Sequence, residues 1–176
     1  MNTQTALQRL YKFDAKGIYV YTKRDLRRVF FDDADETFKK GLSRLVKSGI
    51  LESACKGIYV FAYSKNKGAN TIELVAGALR RGEYNYISLE SALSEYGLIS
   101  QIPISTLTVM TTGRSGRFKT LYGIIEFTKT KRDALDILNS TNKTDRHLRF
   151  AKKEAALRDL KRVGRNTHML VDAEDE

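Results

Sequence analysis

The stretch ADETFKKGLSRLVKS, residues 34–48, decides the reading of the fold. At about 100° per residue, Phe38, Leu42, Leu45 and Val46 share one face of a helix, an apolar stripe that can bury against a small core. Lys40, Ser43, Arg44 and Lys47 fall on the opposite face, with Thr37 and Lys39 at its edges. A helix anchored in this way, showing cations and small hydroxyls to solvent, suits insertion into a phosphate-lined groove. Asp33 and Glu36 have capping-box spacing, and Gly49 stands where a C′ glycine belongs. An ordinary amphipathic helix with a solvated basic face would carry the same pattern, so the flanking segments decide.

Upstream, residues 23–30, KRDLRRVF, read as a short helix, and FDDAD as the turn that follows it. Downstream, ILESACKGIYVFA reads as two strands around the tight turn Cys55-Lys56-Gly57. Helix, turn, basic helix and hairpin, in that order, outline a winged helix-turn-helix. GIYVY at 17–21 is echoed by GIYVF at 57–61; both are β-branched and aromatic, and the first is expected to be a short strand pairing with the hairpin.

The chain has 176 residues and a net charge of +10. That length allows one domain or two small ones. The charge is uneven: residues 1–68 carry 14 Lys and Arg against 7 Asp and Glu, whereas residues 69–130 carry 6 against 5. A concentrated excess points to a polyanion as partner. Residues 64–68, SKNKG, read as a linker, giving an expected division into 1–65 and 69–176. In the second part, residues 70–73 form a capping box for a helix running to Arg81, with Ile72, Val75, Ala76 and Leu79 as its apolar face. Ser88 is expected to cap a second helix, LESALSEY, stopped by Gly97. Residues 104–112 read as a strand, residues 113–117 as a basic turn, and LYGIIEFTKT as the returning strand system. RHLRFA alternates as a strand does, and KKEAALRDLKRV returns to helical spacing. The class is α+β.

Several chemistries lack their residues. Cys55 is the single cysteine, so no intrachain disulfide and no thiolate metal site can form; only two histidines exist. No GxSxG, HExxH, CxxC or phosphate-loop spacing occurs, and the Asp32, Asp33 and Asp35 cluster is explained by turn and capping chemistry. No catalytic residue, metal or cofactor is expected, and the chain is read as a protein without enzymatic activity. No apolar run approaches the roughly 20 residues of a membrane span, which together with the lone cysteine gives a cytoplasmic expectation with no membrane partner.

Four segments carry a family resemblance: LSRLVKSGILESACKGIYVF, YISLESALSEYGLI, TLTVMTTGR and AKKEAALRDL. In order and spacing the chain resembles the AbiEi family of antitoxins, from type IV toxin–antitoxin and abortive-infection systems. Ile87, Ser88, Ser91, Ala92, Leu93, Gly97 and Leu98 match the family's "ISxxSALxxxGL" segment. Ala151, Glu154, Ala156, Leu157, Asp159 and Leu160 match its "AxPEKALLDL" helix, with Lys153 in place of the usual proline. The resemblance implies an N-terminal winged helix-turn-helix that binds inverted repeats of double-stranded DNA in its own promoter and represses the operon. It also implies a C-terminal mixed α/β antitoxin domain that counteracts a nucleotidyltransferase-like toxin without a stable complex, the protein acting as a monomer or a DNA-assembled dimer. The expected DNA-binding set is Lys23, Arg24, Thr37, Lys39, Lys40, Ser43, Arg44, Lys47, Lys56 and Tyr59, with Arg44 as the base reader. The expected antitoxin surface is Arg149, Lys153, Arg158 and Lys161. Two alternatives stand beside it: a ligand- or partner-sensing winged-helix regulator without antitoxin activity, and an RNA-binding protein that uses the basic C-terminal run and the nine tyrosines.

Overall fold

The structure is a computed structural model and describes residues 1–99 and 105–171. Among the described residues it is mixed α+β, with seven α-helices, nine strands and one 3-10 turn in two sheets. The chain divides into two units, residues 1–79 and 80–176.

The first unit opens with α1 (Thr3–Asp14), which buries Ala6 and Leu10 and is capped by the Asn2 side chain. The sequence reading passed over this helix. β1 (Val20–Thr22) leads directly into α2 (Lys23–Val29), where Thr22 and Asp25 form a complete capping box. Then come α3 (Asp35–Lys47), β2 (Leu51–Cys55), β3 (Ile58–Phe61) and α4 (Thr71–Leu79). The sheet has the order β1-β3-β2, antiparallel throughout, so the GIYVY segment does pair with the hairpin, Val20 opposite Val60. Gly57 turns the hairpin at φ +82° and Gly49 ends α3 at φ +71°, both left-handed conformations that favour glycine.

Two local expectations fail here. α3 starts one residue later than the capping-box reading requires: Ala34 is its N-cap and has no side-chain oxygen to offer. Residues 64–68 are not a free linker. Ser64 and Asn66 donate to the buried Asp14 carboxylate, and Lys67 pairs with Glu52 at 2.8 Å. α4 then packs on β1 and β3, with the Tyr19 hydroxyl 3.1 Å from that of Thr71. It therefore belongs to the first unit, whose net charge becomes +6 by residue count. Its buried face includes Thr71 and Glu73 as well as Val75 and Ala76.

The second unit is built on a six-stranded sheet. Its strands are β4 (Asn85–Ile87), β5 (Thr106–Thr111), β6 (Gly116–Thr120), β7 (Gly123–Lys129), β8 (Thr141–Asn142) and β9 (Arg149–Ala151), in the order β6-β7-β5-β4-β9-β8. β5 runs parallel to β7 and β4 parallel to β9; the remaining pairs are antiparallel. β5 is central, and five of its six residues are buried, as expected of a strand covered on both faces. β6 alternates and shows Arg117 and Lys119 to solvent at the sheet edge, where charge discourages further pairing. The helices are α5 (Leu89–Glu95), α6 (Ala134–Ser140) and α7 (Lys153–Val163). α6 was not foreseen; it is one short turn pair capped by Asp133. Of the strand expected over 104–112, residue 104 lies outside the described residues. Among the described residues, no helix is long and apolar enough to cross a membrane.

Candidate nucleic-acid interface

α3 presents three surfaces. Phe38, Gly41, Leu42 and Leu45 are buried against the first unit's core. On one flank Lys39, Ser43, Val46 and Lys47 line a groove of about 420 Å³. Its far wall is Lys23, Ser53 and Tyr59, and Leu42 completes the floor. Ser53 and Tyr59 are cross-strand partners, so one register position of the hairpin faces the helix. The Lys23 amide donates to the Gly57 carbonyl at 3.0 Å, which ties the start of α2 to the hairpin tip that carries Lys56.

Five of the ten expected DNA-contact residues therefore meet in one groove: Lys23, Lys39, Ser43, Lys47 and Tyr59. Thr37, Lys40 and Arg44 are exposed on the other flank of α3 and do not line it. The Arg44 guanidinium donates to the Met1 carbonyl at 2.7 Å. Arg24 is exposed on α2, and Lys56 is exposed at the hairpin tip. Lys39 is paired with Glu36 at 3.0 Å, and that carboxylate raises its pKa; both side chains are more than half exposed, so the pair contributes little and leaves the ammonium available. Ser53 and the apolar floor were missed. Alternation along β2 carries the signal for Ser53: the register runs regularly from Leu51 to Ser53, which pairs with Tyr59, and shifts only beyond it, between Ser53 and Cys55.

In the second unit, Lys153, Arg158 and Lys161 are exposed on the outer half of α7. Arg149 is separate: its guanidinium donates to the Thr141 hydroxyl at 2.7 Å and the Thr141 carbonyl at 3.1 Å, holding β9 to β8. Arg158 reaches the Ser140 hydroxyl at 3.1 Å and so braces α7 on α6.

Ser88 stands at the N-cap of α5, but its side chain makes no cap hydrogen bond. Its hydroxyl donates to Asp159 Oδ2 at 2.8 Å, beside Tyr86 Oη at 3.0 Å, and Arg132 donates to Oδ1 at 3.0 Å. Asp159 is 1% exposed. The positions the sequence reading matched as two separate segments thus meet in one buried polar cluster, and a charged acceptor outcompetes the local helix amides for the serine hydroxyl. Burial and the neighbouring carboxylate push the Tyr86 phenol far above its ordinary range, so it remains a donor. A second cluster joins Arg165 to Glu90 at 3.1 Å and to Glu126 at 2.7 Å. Among the described residues, no three His, Cys, Asp or Glu side chains gather as a metal ion would require.

Comparison of the sequence with protein-family models gave no match, and comparison with curated proteins gave none either.

Proposed function

We propose that the first unit is a winged helix-turn-helix that binds double-stranded DNA, with α3 as the recognition helix and the β2–β3 hairpin as the wing. The groove between α3 and the hairpin carries the reading: three lysines and two serine hydroxyls rim a concave surface from three different elements. Such a groove suits one phosphate backbone strand, with Lys23, Lys39 and Lys47 as its counter-charges and Ser43, Ser53 and Tyr59 as hydrogen-bond partners. Lys40 and Arg44, on the flank turned from the groove, are then placed to reach base edges in the major groove.

The resemblance of the sequence to AbiEi antitoxins extends this reading. The chain represses its own promoter at inverted repeats, in the cytoplasm and without catalysis, and its second unit counteracts a nucleotidyltransferase-like toxin. Lys153, Arg158 and Lys161 are the surface assigned to that second task.

The test is DNA binding by the full chain, measured as fluorescence anisotropy on the duplex upstream of its own gene and on a scrambled duplex. Lys23→Ala and Lys47→Ala should each weaken both duplexes and each lower the salt slope by about one. Unaltered salt slopes in both variants would remove the groove from the interface.

A further inference from the structure

We propose that the second unit holds an anion site for the phosphoryl group of a small phosphorylated ligand. The site is a pocket of about 200 Å³ lined by Met110, Lys129, Thr130, Lys131, Asp159, Arg162 and Val163. It lies at the carboxyl ends of the parallel pair β5 and β7, the end of a parallel sheet where ligands characteristically bind. This inference is independent of the DNA-binding reading and concerns different residues.

Three observations support it. First, Lys129 ends β7, Lys131 follows two residues beyond the strand, and Arg162 lies on α7, so separate segments bring three cations to one concavity. Among the described residues none of the three has a carboxylate within 4.0 Å. Second, the one carboxylate that the described residues bring to the lining is already committed. Asp159 accepts from Tyr86, Ser88 and Arg132, so it neutralises the buried guanidinium and not the rim. Third, one donor of that guanidinium has no acceptor. The Arg132 side chain is 8% exposed, its two terminal nitrogens are held by Asp136 and Asp159, and its Nε is a buried donor with no acceptor. Three cations that, among the described residues, have no carboxylate partner rim one depression, and a bound oxyanion would offset their charge. The volume suits one or two phosphoryl groups. It is far too small for a duplex, which separates this site from the first unit's groove. Met110 and Val163 give the floor an apolar edge against which the organic part of a phosphate ester can rest.

The experiment is calorimetric titration of the full chain, at constant ionic strength, with inorganic phosphate, diphosphate and a nucleoside 5′-monophosphate. Saturable one-site binding of at least one of these is expected, and the tightest of the three identifies the source of the phosphoryl group. Lys131→Ala and Arg162→Ala should each weaken it about tenfold, because each removes one charge-assisted contact. Both residues are exposed, so the variants should fold, and circular dichroism checks this. Lys47→Ala, in the first unit's groove, should leave the affinity within twofold. Failure of all three anions to saturate the wild-type chain would overturn the proposal. So would binding that survives both pocket substitutions, or binding that Lys47→Ala abolishes.

Discussion

Asp159→Ala should cost the second unit about 3–5 kcal/mol, the range for stripping the partner from a buried ion pair. Asp159 is 1% exposed and Arg132 8%, with 3.0 Å between them, so the interaction lies in a poorly screened interior. Alanine would also leave the Tyr86 and Ser88 hydroxyls without their acceptor. Arg132 keeps its 2.8 Å bond to Asp136, which argues for the lower half of the range. Asp159→Asn preserves shape and one acceptor oxygen but turns an amide NH₂ toward a donor, and about 2 kcal/mol is the expected loss. Replacing both partners, as Arg132→Met with Asp159→Leu, should be milder than Asp159→Ala, because no unpaired charge then remains. The chain has no tryptophan to report on either unit. Hydrogen exchange of the β4 and β5 amides, read by mass spectrometry, supplies a local free energy, and the β2–β3 peptides serve as the internal control. A loss under about 1 kcal/mol in β4 and β5 would refute the claim that this cluster holds the unit together.

Arg44→Ala should relax base preference at a cost of about 1–3 kcal/mol on the specific duplex, while leaving the salt slope closer to wild type than Lys47→Ala does; a uniform loss across sequences would reassign Arg44 to the backbone. Gly57→Ala places a β-carbon at φ +82° and should cost about 1 kcal/mol with no steric clash, since nothing lies within 4 Å; thermal unfolding measures it. Burial pushes the Asp14 carboxyl up, but hydrogen bonds from Ser64 and Asn66 and from the Lys65 amide outweigh it, so its pKa is lowered on folding. A depressed carboxyl stabilises the folded state above its unfolded pKa of about 4, and that stability fades as pH falls through the folded value. Amide exchange in residues 64–68 should therefore accelerate on acidification below about pH 4, and Asp14→Asn should remove that dependence. Burial raises the Cys55 thiol, so it should alkylate with iodoacetamide more slowly than a free thiol at pH 8 or so, and Cys55→Ser should keep the fold.

The first unit was largely legible because its signals are local. The period of α3, the glycines after it and at the hairpin tip, and the paired GIYV segments each depend on neighbours in sequence. α1 carries the same period, Ala6 and Leu10 one turn apart, and was legible in principle. What escaped was long-range. Ser88 is a good N-cap residue by every local criterion, yet its hydroxyl is drawn to a carboxylate 71 positions away. SKNKG has linker composition, yet Asp14, 50 positions upstream of Ser64, pins it down. The groove was half visible: the helix residues announced themselves by charge, whereas Ser53 enters it only through its pairing with Tyr59 across the hairpin. Arg44 shows the opposite limit, since helical spacing places it on the outer face but cannot reveal that its guanidinium is bonded to the Met1 carbonyl.

Because α4 is part of the first unit, the piece of this chain that could be transplanted is longer than its composition suggests. A cut after residue 65 would strip Thr71, Val75 and Ala76 from the sheet and leave the Tyr19 hydroxyl without its partner. Burying one valine-sized side chain is worth about 1.5–3 kcal/mol, a large fraction of what a domain this small can spare. Recombination joints, fusion points and chimaeras are better placed between Leu79 and Arg80, where exchange of the second unit would leave the first sheet and its covering helix intact.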